Sequence, residues 1–230
     1  MITIKNIGKA YNGQIVVDIP RLQIKQGIVG LVGNNGAGKT TLFRLILDLI
    51  KADRGEILSM EKPVSGNEEW KQYTAAYLDE GFLIQYLTPE EYFYFVGKLH
   101  NRSKADVDEY LLLFTNIFDS GIFRTGKYIR DLSKGNQLKV GIAACILQNP
   151  EILILDEPFA NLDPSTQIRL MQLLKEIQVK KRMTILISSH DLNNITDLCG
   201  RILLMEKGKI IKDLQTSDDT LNELEEYFKV

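Results

Sequence analysis

Three short stretches carry residue types that do phosphate chemistry. The first, Gly33-Asn34-Asn35-Gly36-Ala37-Gly38-Lys39-Thr40-Thr41, fits G-x-x-x-x-G-K-[ST]. Its glycines let backbone N–H groups converge on a polyphosphate without Cβ interference, and a helix starting there sets partial positive charge beneath the anion. Lys39 would reach the β- and γ-phosphates, and the Thr40 hydroxyl would ligate Mg²⁺. The second is Asp156-Glu157, directly behind the apolar run Ile152-Leu153-Ile154-Leu155. A carboxylate there suits Mg²⁺, held directly or through water; Glu157, pointing differently, can orient and polarise the water that attacks a γ-phosphate. The third is His190, behind the run 183–188, which can hydrogen-bond a γ-phosphate oxygen. Each has a bland alternative: a glycine-rich turn, a solvated acidic turn, a structural histidine. Together they read as a nucleoside triphosphate site.

Such residues work only if strands deliver them to one place, and the carboxyl edge of a parallel sheet is that place. The phosphate loop follows the apolar run Ile28-Val29-Gly30-Leu31-Val32 and opens a helical pattern, Leu42, Leu45, Ile46, Leu49, expected over 38 to about 50. Before it, Ile2/Ile4, Ile15/Val17/Ile19 and Leu22/Ile24 alternate with polar residues between turn signals, which predicts an antiparallel β element. Tyr11 lies in its first turn, where an aromatic could stack on a base, although a turn aromatic taken alone more often packs locally. Residues 61–71 read as a polar surface connection and 73–78 as a strand, followed by the acidic turn Asp79-Glu80-Gly81. Thr88-Pro89-Glu90-Glu91 is a capping box with proline at the first helical position, starting a helix that carries Tyr92, Phe93, Phe95, Val96 and Leu99. A second helical pattern runs from Val107 to Phe118. Leu132-Ser133-Lys134-Gly135-Asn136 precedes another, and Asn161-Leu162-Asp163-Pro164 starts a helix to about 180.

The 28 basic and 30 acidic residues of this 230-residue chain nearly cancel, so no basic surface advertises nucleic acid. The start resembles a strand rather than a signal peptide, which predicts a cytosolic protein. No apolar run reaches the ~20 residues a membrane span needs, so any membrane role is expected to be peripheral. Cys145 and Cys199 sit among apolar residues and read as buried thiols, and two histidines without a Cys/His cluster give no transition-metal site.

In this order and spacing the motifs resemble those of ATP-binding cassette ATPases, the nucleotide-binding subunits of ABC transporters, over essentially the whole chain. The resemblance implies an α/β fold. A P-loop NTPase core (1–81 and 150–230) would carry an antiparallel β subdomain, with a helical subdomain inserted over about 82–149, all in one domain, 1–230. It implies Tyr11 against the adenine of ATP, and Asn34, Asn35, Gly36, Ala37, Gly38, Lys39, Thr40 and Thr41 as the Walker A cradle. Asp156 and Glu157 take the Walker B positions, Asn161-Leu162-Asp163 the D-loop, and His190 that of the switch histidine. Glu80 stands where glutamine is usual and could reach Mg²⁺ or water. Leu132-Ser133-Lys134-Gly135-Asn136 stands where L-S-G-G-Q is commonest, yet Ser133 and Gly135 still open a helix N-terminus. Both variants look like those of bacterial drug, antibiotic and bacteriocin export systems. The resemblance further implies a head-to-tail homodimer or heterodimer, in which Ser133 and Gly135 of one subunit complete the ATP site of the other. An integral membrane permease would dock near Glu80 and the helical segment, on the exposed members of Tyr86, Tyr92, Phe93, Tyr94 and Phe95, placing the protein peripherally on the cytoplasmic face of the cell membrane. One rival is a soluble switch ATPase acting on ribosomes or DNA, but such relatives usually carry two cassettes or a long coiled coil. A nucleoside kinase or GTPase sharing only the phosphate loop leaves the signature, D-loop and His190 unexplained.

Overall fold

The computed structural model describes residues 1–118 and 122–228. Among these residues ten strands form two sheets. β1 (Ile2–Tyr11), β2 (Gln14–Ile24), β4 (Arg54–Ser59) and β5 (Lys62–Pro63) make an antiparallel sheet in the order β2-β1-β4-β5. β3 (Gly27–Val32), β6 (Thr74–Tyr77), β7 (Ile152–Asp156), β8 (Thr184–Ser189), β9 (Arg201–Glu206) and β10 (Lys209–Gln215) form the second, ordered β10-β9-β3-β8-β7-β6. Its strands are parallel except for the edge strand β10.

The central strands are apolar at almost every position because both faces of the sheet are covered. Period-two alternation sorts them. Ile28 and Val32 of β3, Leu153 and Leu155 of β7, and Ile185 and Ile187 of β8 enter one core. There they meet α2 (Pro89–Leu99), α3 (Lys104–Leu111), α4 (Lys134–Leu147), α5 (Pro164–Lys181), α6 (Leu192–Leu198) and α7 (Thr220–Phe228). Val29, Leu31, Ile152, Ile154 and Leu186 face a second core, built with α1 (Lys39–Ile46) and the antiparallel sheet. This parity decides where the polar strand ends point.

The capping box at Thr88 and Glu91 is present, and Phe93 is fully buried. Of the aromatics around it, Tyr86 is 69% and Phe95 44% exposed, while Tyr92 and Tyr94 pack partly against the core. Three elements differ from the sequence expectation. α1 stops at Ile46 rather than near 50, since Leu47 leaves the helical backbone and Asp48 is left-handed, with φ 49°. The pattern begun at Val107 breaks after Leu111 into a tight turn, Leu112–Phe114, that leaves Leu112 and Leu113 exposed. The connection 61–71 holds β5 and leads into a turn that buries Trp70, whose Nε1 donates to the Val64 carbonyl at 3.1 Å. Both cysteines are buried, and burial pushes each thiol up to about 12. No helix among the described residues is long and apolar enough to cross a membrane.

Candidate functional site

The three polar stretches meet on adjacent strands, because β8 lies between β3 and β7. β3 runs into the phosphate loop. Gly38 caps α1 in a left-handed conformation, φ 107°, and a Cβ there would lie 2.5 Å from the Val16 carbonyl oxygen, so the loop closes against β2 only with glycine at this position. The loop is pinned from within by Ala37 N–H donating to Asn34 O (3.0 Å), and from β9–β10 by Gly208 N–H donating to Ala37 O (2.9 Å). Asn35, Gly36, Ala37, Gly38, Lys39, Thr40 and Thr41 line a cavity of about 230 Å³ together with Val16, Asp156 and Glu157. Asn34 lines a neighbouring one of about 200 Å³, shared with Tyr227 and Phe228 of the last helix.

Charged groups of both signs converge here. Lys39 is nearly buried and donates to the Gly33 carbonyl at 2.7 Å, with its Nζ 3.9 Å from Glu157 Oε1. The Thr40 hydroxyl donates to Asp156 Oδ2 at 2.5 Å. A hydroxyl and a carboxylate oxygen thus face one another across the strand and helix ends, the hard-oxygen pair that a Mg²⁺ ion prefers. Glu157 is left-handed, φ 49°, and its other oxygen, Oε2, lies 2.8 Å from His190 Nδ1. Lys39, Asp156, Glu157 and His190 are therefore one contiguous array.

Other expected site residues sit apart from it. Tyr11 ends β1, is 47% exposed with the Lys9 ammonium 5.3 Å over its ring, and does not line the phosphate-loop cavity. Glu80 opens a tight turn, Glu80–Phe82, and its side chain lies outside the described residues, as do residues 119–121. Ser133 caps α4 and accepts from Asn136 N–H at 3.3 Å, so that helix begins where the signature was read. Asp163 caps α5; hydrogen bonds from Ser165 first, then from the Thr166 hydroxyl and amide, hold its carboxyl well below the usual range.

Gly135 packs against the D-loop: a Cβ would fall 2.5 Å from the Asn161 carbonyl oxygen. Gly135→Ala must push that backbone aside, and overpacking of this kind costs ~1–3 kcal/mol. The urea midpoint of the variant should fall correspondingly at an unchanged m-value; wild-type stability would show that the first turn of α4 and the D-loop do not press on each other.

Sequence reasoning missed Val16, which contributes by backbone approach and carries no chemical signature. It also missed Gln137, a buried amide whose Nε2 donates to the Leu132 carbonyl at 2.9 Å and fixes the loop before α4. A buried polar residue one turn into an apolar helix was the available signal.

The sequence pattern of the ABC transporter family matches residues 18–160, more than half of the chain. This chain belongs to the ABC transporter family. It is an ATP-binding ATPase of that family. Among its relatives, the uncharacterized ABC transporter ATP-binding protein YhaQ of Bacillus subtilis is 34% identical over 91% of this chain and 69% of its own length. The methionine import ATP-binding protein MetN of Clostridioides difficile is 32% identical, over 92% of this chain and 68% of that protein. Among solved structures, a dimeric post-hydrolysis state of the ATP-binding cassette MJ0796, bound to ADP and Pi, matches with a TM-score of 0.83 at 22% identity. The match covers 94% of this chain and 99% of that one, and it establishes the shared fold.

Proposed function

We propose that this ABC ATPase uses the array at the sheet edge to hydrolyse ATP, and that it works as a dimer to drive a separate membrane-spanning subunit. The observation that carries the chemistry is the contact between Lys39, Glu157 and His190, beside the Thr40–Asp156 pair. The N–H groups at the start of α1 take the phosphates, and Lys39 exchanges the Gly33 carbonyl for β- and γ-phosphate oxygens. Thr40 and Asp156 would hold Mg²⁺, with Glu80 a further candidate; the bound ion would neutralise phosphate charge. Glu157 orients and polarises the attacking water. With Nδ1 of His190 engaged by Glu157, Nε2 is the nitrogen left for a γ-phosphate oxygen. Tyr11 stacks on the adenine.

Ser133 and Gly135 lie outside the cavity that holds Lys39, which fits their serving the site of a second subunit, identical or related. The dimer of the MJ0796 cassette is a precedent on the same fold. The core 1–81 and 150–230 would close and open with ATP, and the helical segment 82–149 would pass that motion to the permease, through the exposed Tyr86 and Phe95. Transport is outward, a direction resting on the Glu80 and Lys134 variants; the import named for the MetN relative is the rival.

The test is a pull-down with tagged Glu157→Gln protein and MgATP from detergent-solubilised membranes of the source cell, with the soluble fraction in parallel. A polytopic membrane protein should be recovered. Ribosomal or DNA-associated partners alone, from the soluble side, would overturn the transporter reading, and a solute-binding protein travelling with the permease would reverse the direction.

A further inference from the structure

Ser188 ends the apolar run of its strand. It follows Ile185, Leu186 and Ile187 in β8 and is fully buried. A hydroxyl in such a place needs partners, and its partners here are the two carboxylate residues of the site. In the parallel register Ser188 stands beside Asp156, and the shared parity turns both side chains toward α1, as it does Leu186 and Ile154. The Ser188 hydroxyl donates to Asp156 Oδ1, and its Oγ accepts the Glu157 N–H at 3.1 Å. Asp156 is thus gripped from both sides: Oδ1 from β8 by Ser188, and Oδ2 from α1 by Thr40. The Glu157 amide has a second acceptor, the Ser188 carbonyl at 3.2 Å, so its left-handed turn does not depend on the hydroxyl alone.

We infer that Ser188 is a positioning residue for the metal carboxylate: by holding Oδ1 it fixes the Asp156 rotamer and reserves Oδ2 for Thr40 and the cation. The inference rests on the reading of Asp156 as the Mg²⁺-binding carboxylate. Groups that orient a ligating carboxylate typically change metal affinity by ~10–100-fold when lost. Because Glu157 keeps the Ser188 carbonyl, the loss should fall on metal binding before it falls on the attacking water.

The decisive comparison is Ser188→Thr against Ser188→Val. The two side chains have the same shape and add the same methyl to the core, so any packing cost is common to both and only the hydroxyl differs. Mn²⁺ affinity of the ADP-bound protein is read from the free-Mn²⁺ signal in electron paramagnetic resonance, and metal-free ADP affinity by calorimetry. The valine variant should bind Mn²⁺ at least ~10-fold more weakly than the threonine variant, with metal-free ADP affinities agreeing within about 2-fold. Asp156→Asn is measured alongside. Equal Mn²⁺ affinities in the threonine and valine variants, with Asp156→Asn weakened, would overturn the role of Ser188 alone. Wild-type Mn²⁺ affinity in Asp156→Asn would remove the reading of Asp156 itself, and the inference with it. A metal-free ADP affinity that falls in parallel with that for Mn²⁺ would make Ser188 a packing residue only.

Discussion

Replacing Glu157 by glutamine should leave a protein that binds ATP and hydrolyses it at least ~10²-fold more slowly, as loss of an assisting base does. The substitution changes little else. Glutamine has the same shape, so the left-handed backbone at φ 49° and the amide bonds to Ser188 have no reason to move. Its side-chain carbonyl can still accept from His190 Nδ1, now 2.8 Å from Oε2. What disappears is a negative charge next to Lys39, 3.9 Å away, and the basicity that polarises water. Losing the charge removes a repulsion toward the incoming phosphates, so nucleotide affinity should hold or rise while turnover collapses. Single-turnover hydrolysis and equilibrium ATP binding, measured on the same preparation, separate the two effects. Turnover near that of the wild type would show that Glu157 only holds Lys39 and His190 in place and takes no part in the reaction.

The parts of this site that were legible in the sequence are those where residue type and strand position coincide. Asp156 follows four apolar residues, and the parity of Ile152 and Ile154 turns it toward α1; the same rule turns Ser188 that way from β8. Ser188 reads only as the last residue of its strand, because which residue lies beside it is not known until the register is. The capping box at Thr88 and the apolar β3, β7 and β8 were readable from local chemistry. Features that depend on tertiary approach were not. Val16 reaches the site through its carbonyl, Trp70 is one anchor in a polar stretch, and α1 ends where Asp48 turns left-handed rather than where its apolar pattern stops. Periodicity reports which face a segment buries; it does not report which backbone comes to rest against it.

Lys39→Met should have the complementary effect to Glu157→Gln: the fold persists and MgATP binding is lost. Lys39 is 8% exposed, so its aliphatic stem is packed, and methionine preserves that contact while deleting the ammonium. The ammonium now donates to the Gly33 carbonyl at 2.7 Å and lies 3.5 Å from that of Asn34. The Gly33 bond is buried, so leaving its acceptor without a donor costs about 1–3 kcal/mol, a small part of the stability of a chain this size. For the phosphates there is no replacement among the described residues, since no other lysine or arginine of theirs lines that cavity and Asp156 and Glu157 face it with negative charge. A charge-assisted hydrogen bond is worth ~1.5–3 kcal/mol, and the variant also leaves two carboxylates unopposed beside a polyanion. The apparent Kd for MgATP should therefore rise at least ~10²-fold, while the thermal midpoint falls by no more than about 10 °C and the protein still unfolds cooperatively. Titration with a fluorescent ATP analogue and a thermal melt on the same sample decide it. Near-normal affinity would mean that the backbone cradle alone holds the triphosphate, and that Lys39 serves the loop rather than the ligand.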